Sequence, residues 1–468
     1  MSINSNIISS NIRTLEYNKY VEILNDTRFP QLTVVETSYD DPNLTQTNVY
    51  NKNAVLTYDI GSQNINASPF GDNASSDAFG RLRVGIPNTL LDAKLMYDKL
   101  PEVFDEIVNI GASTFLRGDT CVNMQVSGNG GYVIRQTRAR FNYQPGKSLF
   151  GAFTFVAAPE TNVIKRVGLF QSLTAAPYTP EDGMYLEIGS NGPSFNIVKT
   201  LGTSAGTITI PQSAWNIDKL NGYGSSGINL DFTKAQIFAM DYEWLGVGRV
   251  RFGFYANGKL YYAHQETHLN ELTNVYITSP NQPVRYEIRQ TGAGSGSFKQ
   301  ICSTVIDEGS QEELGTSATA YTSAAITVQN NVMTPILAIR ANPNNNDTVL
   351  LLKSFDLYNT DNTTDIRYIL YRNADTNKGL QWYAANSSQM QYALGTNTIT
   401  VSGGYELMSG WAPRSQGTAA SSESLDLAGL IGRFGTNING TPETLIIGGM
   451  GIGATATILA SVNTLQQS

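Results

Sequence analysis

Between about residues 113 and 306, apolar and polar positions alternate in short runs: TCVNMQV, YVIRQT, GAFTFVAA, MYLEI, FNIV, TITI, AQIFAM, RVRFGF, LYYAH, NVYIT and RYEI. Each run is bounded by Gly, Pro, Asn or Ser. A period of two in segments rich in β-branched and aromatic residues predicts half-buried strands. No helical pattern alternates with them, which excludes a parallel α/β fold. The segment 113–306 is therefore expected to be an antiparallel β-sandwich, jelly-roll or lectin-like.

The same pattern resumes after the polar stretch EGSQEELGTSATA, read as a linker over 307–320. The runs ITVQ, MTPILAIR, TVLLLKSFDLY, IRYILYR, LQWYA, TITV, YELMSG, TLIIGG and TATILASV predict a smaller C-terminal β-sandwich over 321–468, with asparagine-rich turns between them. The apolar stretch LIIGGMGIGATATILA is too short and glycine-rich for a membrane span of about 20 residues. It reads as a buried strand pair, and no membrane insertion is expected. Residues 1–76 carry few periodic apolar positions and are read as an extended N-terminal arm, with one short amphipathic helix at LEYNKYVEIL. Residues 77–112 are read as a connector with a short helix, because TLLDAKLMYDKLPEVFDEIV follows the capping residues Asn88 or Thr89. The fold class expected is mainly β: two antiparallel β-sandwich or jelly-roll domains preceded by an extended N-terminal arm.

Composition agrees with that picture. Charged residues make up 15% of the 468, below the roughly 25% of average soluble domains, whereas Gly (43) and Tyr (24) are plentiful. A net charge of -8 argues against nucleic acid as a partner, since phosphate binding needs a concentrated basic surface. The one basic cluster, RQTRARFNYQPGK from Arg135 to Lys147, is expected to be a strand with its arginines on a solvated face. Cys121 and Cys302 sit far apart in apolar runs and read as small buried hydrophobes, not as a disulfide framework. The start MSINSNIISSNIRT shows no signal peptide. An outward-facing style of β protein without a secretion signal fits a virion component, made in the host cytoplasm and released by lysis.

Candidate chemistry centres on YYAHQETH, which holds the only two histidines, His264 and His268, with Glu266 between them. Two imidazoles and a carboxylate are a common metal set. However, Asn257-Gly258 is the preferred pair for a two-residue type I′ turn, so RVRFGFYANGKLYYAHQE reads as a β-hairpin. In that register Phe254 faces Tyr261 and Phe252 faces Ala263, with Val250 on the same core face. On the other face His264 is expected opposite Arg251 and Glu266 opposite Arg249. A short loop before the hairpin brings Asp241 to Arg251 and Glu243 to Arg249. A charged cross-strand ladder is thus expected, with no ion between the histidines.

Other motifs carry less. QPGKS lacks the first glycine and the following helix of a phosphate loop, and no G-x-S-x-G elbow occurs. DLYNTDNTTD lacks calcium-loop spacing and reads as a surface turn. Arg117-Gly118-Asp119 reads as a turn. Asp241 and Glu243 share a strand face at a glycosidase-like separation of about 7 Å, but arginine pairing is the expected fate of both. Trp215, Trp244, Trp382 and Trp411 are the candidate sugar-stacking platforms. No catalytic residue, cofactor site or metal ligand is assigned.

At DAFGRLRV, FNYQPGKS, WNIDKLNGYGSSGINLDFTKAQIF and DYEWLGVGRVRFGF, and again at RYEIRQTGAGSGS and QICSTVI, the chain resembles a family of largely uncharacterised structural proteins of large tailed bacteriophages. The resemblance covers about residues 77–306 and transfers no site residues. It implies a virion protein. From the residues themselves the chain is expected to be non-enzymatic and to assemble with capsid or tail proteins through its arm and sandwich surfaces, and its glycine-rich, aromatic β surfaces predict self-association as a homo-oligomer such as a trimer. A tail, baseplate or fibre location is expected ahead of head decoration. A carbohydrate-binding module or glycan depolymerase acting on a host surface glycan is the alternative.

Overall fold

The structure, a computed structural model, describes residues 32–38, 46–51, 54–58, 75–200, 206–309, 314–345, 347–386, 389–414, 422–423 and 433–467. It divides into two units, Met1–Val84 and Gly85–Ser468. In the first, Leu32–Ser38, Gln46–Asn51 and Ala54–Tyr58 form a three-stranded antiparallel sheet. The helix expected at LEYNKYVEIL and most of the arm assigned to 1–76 lie outside the described residues.

The second unit has two cores, each between two antiparallel sheets. In the first sandwich a seven-stranded sheet runs in the order Gly206–Pro211, Gly192–Lys199, Pro180–Gly189, Val163–Ser172, Val284–Gln290, Tyr132–Thr137, Phe104–Asn109. The eight-stranded sheet facing it runs Lys259–Glu266, Val250–Ala256, Gln236–Tyr242, Leu149–Val156, Gly296–Asp307, Cys121–Val126, Gly111–Leu116, with Asn88–Lys94 also paired to Gly296–Asp307. Alternate residues of each strand fill the space between, as the period of two requires. Rings stitch the sheets together. Phe195 of one sheet stacks on Phe252 of the other at 4.6 Å, and on Trp215 at 4.3 Å. Such pairs contribute about 0.5–1.5 kcal/mol beyond their buried area.

The second sandwich packs two six-stranded sheets. One is built on Val349–Asn359 and Ala456–Gln467, flanked by Thr316–Tyr321. The other runs Trp382–Ala384, Met390–Leu394, Thr334–Ala341, Thr444–Gly451, Ile366–Arg372, Tyr405–Ala412. Its core is mostly aliphatic, including Leu337, Ile339, Leu350, Ile366, Ile458 and Val462. The protein is thus mainly β and antiparallel. Among the described residues the helical content is one 3₁₀ turn, Gln212–Ala214, and no helix is long and apolar enough to cross a membrane.

Four expectations need correction. The connector helices are strands: Asn88–Lys94 and Phe104–Asn109. Leu91, Ala93 and Leu95 are buried at a period of two, which the helix-favouring residues around them conceal. The linker over 307–320 already contains the start of the strand Thr316–Tyr321. NVYIT is not a strand, because polar groups fasten it instead: Lys199 Nζ donates to Val275 O at 2.9 Å, and Thr278 N donates to Asp182 at 2.7 Å. The stretch LIIGGMGIGATATILA is two strands, but they do not pair with each other. Thr444–Gly451 pairs within one sheet of the sandwich and Ala456–Gln467 within the other.

Candidate functional site

The two sandwiches meet where the turn after Arg433–Phe434 reaches the strand Phe104–Asn109. That turn is closed by Asn437 N donating to Thr441 O at 2.8 Å and by Gly440 N donating to Asn437 O at 2.9 Å. Its tip docks through polar groups. Ile438 N donates to Asp105 Oδ2 at 2.9 Å, and Arg138 Nη1 donates to Asn437 Oδ1 at 2.6 Å. Arg138 Nε also donates to Pro101 O at 3.1 Å, so the guanidinium is held from both sandwiches.

Behind the tip lies Glu443, fully buried. Oε1 accepts from Arg372 Nε at 2.9 Å and Asn373 Nδ2 at 3.0 Å, and Oε2 from Gly435 N at 3.1 Å. A buried charge is tolerated only when it is paired and hydrogen-bonded in this way. The arrangement fixes Asn373, whose Oδ1 in turn accepts from Thr444 N at 3.0 Å.

In front of this scaffold opens a cleft of about 620 Å³ lined by Asp105, Arg138, Asn373, Ala374, Asp375, Gly404, Tyr405, Asn437, Thr441, Pro442 and Thr444. Its volume falls in the range of small-molecule sites, about 300–1,000 Å³. Carboxylates, amides, two threonine hydroxyls and a guanidinium share the wall with Tyr405, Ala374 and Pro442. One glycine is required here. At Gly404, φ is +73°, and a Cβ would lie 2.6 Å from the Ala374 backbone, so only glycine lets the chain turn into Tyr405 at that spot.

The histidine hairpin has a different architecture from the one expected. The type I′ turn is present, with Asn257 at φ 51° and Gly258 at φ 75°. Phe254 faces Tyr261 as expected, and Val250, Phe252 and Phe254 are fully buried. A β-bulge then leaves Ala263 without a cross-strand partner, so His264 faces Phe252, Gln265 faces Arg251 and Glu266 faces Val250. His264 opposite Arg251 and Glu266 opposite Arg249 are thus corrected. The cause is the segment after Trp215. Ala263 O accepts from both Ile217 N and Asp218 N, at 3.1 and 3.0 Å, and Asn216 exchanges side-chain bonds with the Gln265 backbone. This outer contact draws one residue out of register, and every later side chain changes face.

His264 Nδ1 accepts from Asn216 N at 3.2 Å, and Nε2 donates to Glu266 Oε2 at 2.9 Å. His268 lies beyond the strand. Its Nδ1 donates to Gly248 O at 2.8 Å and its ring stacks on Tyr276 at 4.3 Å. Burial lowers the His268 pKa. The two imidazoles therefore serve different partners, and among the described residues no three His, Cys, Asp or Glu side chains converge as metal ligands.

Asp241 does meet Arg251: Arg251 Nε donates to Oδ1 at 2.9 Å and Tyr262 Oη donates to Oδ2 at 2.6 Å. Both members of the pair are fully buried. Glu243 reaches the Arg249 backbone, its Oε1 accepting from Arg249 N at 3.3 Å. This carboxylate pair is built into the sheet.

No family model matches the sequence, and no curated protein does. Solved structures give faint likenesses over about half of the chain. The Emp47p carbohydrate recognition domain matches at a TM-score of 0.31 and 13% identity, over 47% of this chain and 95% of that one. A prokaryotic β-1,3-1,4-glucanase (lichenase) from a mouse hindgut metagenome matches at 0.31 and 11%, over 47% and 99%. A legume lectin-like domain from Entamoeba histolytica matches at 0.29 and 12%, over 46% and 95%. The architecture above rests on strand pairing and not on these likenesses.

The basic stretch also needs correction. Its arginines do not form a solvated face. Arg135 is buried and donates to Gln300 Oε1 at 2.8 Å, Arg140 is buried and donates to Asn281 O at 3.2 Å, and Arg138 belongs to the cleft. Arg117-Gly118-Asp119 is an exposed turn in which Asp119 pairs with Lys299 at 2.8 Å. Asp361 organises the DLYNTDNTTD turn by accepting from Thr363 N and Thr364 N. Of the tryptophans, Trp215 is core, Trp244 donates to Ile277 O, and Trp382 lies under the Arg340 guanidinium at 4.2 Å. Trp411 is 60% exposed. Nothing local in the sequence marks the cleft, because its walls come from residues over 300 positions apart.

Proposed function

We propose that the chain is a non-enzymatic saccharide-binding protein whose binding site is the cleft between the two sandwiches. The observation that carries this reading is the mixed lining. Asp105, Arg138, Asn373, Asp375, Asn437 and Thr441 supply acceptors and donors around a wall that also contains Tyr405 and Pro442. Hydroxyl-rich ligands need convergent polar groups beside an apolar surface for the ring faces. Several of these groups are already held by the Arg138, Asp105 and Glu443 contacts, so little ordering is lost on binding.

Glycoside hydrolysis asks for two facing carboxyl groups. Of the two carboxylates that line the cleft, Asp375 and Asp105, the second already accepts from Ile438 N, and Glu443 behind them is wholly engaged, so the lining does not offer two free facing carboxyl groups. Binding without cleavage follows. The setting we propose is the virion suggested by the resemblance above: a structural component, in tail or head, whose cleft engages a host surface glycan while its other surfaces contact virion proteins and further copies of itself.

Titration of purified full-length protein with host surface polysaccharide tests this reading. Binding is expected, weakened at least tenfold in Asp375→Ala and Tyr405→Ala with melting temperature unchanged. Release of oligosaccharide would overturn the non-enzymatic reading, and undiminished binding by both variants would overturn the site.

A further inference from the structure

The strand Tyr405–Ala412 starts in the cleft and runs along the edge of its sheet, paired on one side with Ile366–Arg372. A register shift between Leu370 and Tyr371 changes which of its side chains share a face. Glu406 lies opposite Tyr371, Ser409 opposite Ile369 and Trp411 opposite Arg367. All three are exposed, whereas Tyr371 and Ile369 beside them are buried in a small apolar cluster on the side away from the main core. The shift therefore sets a carboxylate, a hydroxyl and an indole in one row that begins one residue beyond Tyr405, which lies opposite Arg372 on the other face and meets the cleft at the strand's end. At about 3.4 Å per residue the track from Tyr405 to Trp411 is about 20 Å long, several sugar rings end to end.

Resting on the saccharide reading, we infer that this track is an extension of the cleft, with Trp411 as the stacking platform for the far end of a linear, uncharged oligosaccharide. An indole left open to water in this way forgoes burial that Trp215 obtains in full and Trp244 and Trp382 in part. Its face suits the C–H side of a pyranose, as aromatic faces suit flat apolar surfaces generally. Along the cleft and the strand the carboxylates of Asp105, Asp375 and Glu406 outnumber the guanidiniums of Arg138 and Arg367, a balance that opposes an acidic chain. The polar side chains between the ends, Glu406 and Ser409, offer hydrogen bonds to hydroxyls without blocking the path.

Calorimetric titration of the full chain with malto-, laminari- and chito-oligosaccharides, from monosaccharide to octasaccharide, tests this. One series is expected to bind the wild type with affinity that climbs with length and then levels. Trp411→Ala should lower affinity for the long members about tenfold while leaving the shortest binders unchanged, a loss of about 1.4 kcal/mol. Tyr405→Ala should weaken every length. Unchanged long-chain affinity in Trp411→Ala would overturn the inference while leaving the cleft intact, as would a change in sedimentation state in place of sugar affinity, which would mark a protein interface. Equal affinity for oligogalacturonates would overturn the uncharged class. No binding of any series to the wild type would overturn the saccharide reading itself, and the track with it.

Discussion

The hairpin at Asp241 and the junction at Glu443 use the same chemical unit, a fully buried carboxylate bidentate to an arginine, and put it to opposite ends. At the hairpin Tyr262 closes the unit: its hydroxyl fills Asp241 Oδ2 and its ring lies 4.2 Å from the Arg251 guanidinium. Glu443 accepts instead from Asn373 Nδ2 and Gly435 N, which hold the wall of an open cleft. An ion pair inside a β protein is therefore uninformative until its outer partners are known. The residues that attract attention in the sequence are structural, and those that form the opening do not.

The largest expected effect separates the closed hairpin unit from the wall of the cleft. Arg251→Ala removes the guanidinium that neutralises the buried Asp241 carboxylate, and should cost about 3–5 kcal/mol in urea unfolding. Arg138→Ala removes a cation that is partly exposed at the cleft, so it should cost only about 1–2 kcal/mol yet weaken saccharide binding. If the two variants lose stability equally, the distinction fails.

A third carboxylate sharpens what the arginine does. Among the described residues Asp182 makes no salt bridge; it accepts from Thr278 N, Ser279 N and Gln282 Nε2. Burial raises its pKa from 3.8 to about 6 against those bonds. The folded state thus keeps a proton that the unfolded state has lost. This contribution falls as pH rises from about 4 to about 6 and is flat above, a change of about 3 kcal/mol. Glu287 has the opposite sign. Burial alone would raise its pKa, but Arg285, Arg289 and Arg166 hold it far below the carboxylate range, so its stabilisation is present above about pH 4.5 and lost as pH falls. In Asp182→Asn, stability relative to wild type should therefore rise between pH 4 and 6. A flat difference in denaturant titrations across that window would remove the contrast.

Smaller effects probe the bulge. Asn216→Ala removes its two side-chain bonds to Gln265, one in each direction, and should cost about 1 kcal/mol, with the hairpin amides near Ala263 exchanging faster. Chelation should change nothing: melting in EDTA is expected to match melting in buffer, because each imidazole is already committed to protein partners.

Most of the strands were legible because half-buried strands carry their own period. The turn at Asn257-Gly258 and the meeting of Asp241 with Arg251 followed from spacing alone. The bulge at Ala263 did not, since it is caused by Ile217 and Asp218, some 45 positions earlier, and a hairpin rule counts only local residues. The connector helices failed for a related reason: Leu91 and Ala93 take their period from pairing with Val305 and Ser303 of the strand Gly296–Asp307. The cleft was illegible altogether. Arg138 stands in a stretch that looked like a basic strand, and its partner Asn437 sits in a turn whose composition marks it only as a turn.

The central claim is that the cleft between Arg138 and Asp375 holds a sugar. A crystal structure of the protein with the tightest-binding oligosaccharide tests it most directly. Density for a ring beside Asp375, Tyr405 and Asn437, continuing toward Trp411, is the result predicted. A sugar bound elsewhere, with the cleft holding only solvent, would contradict it.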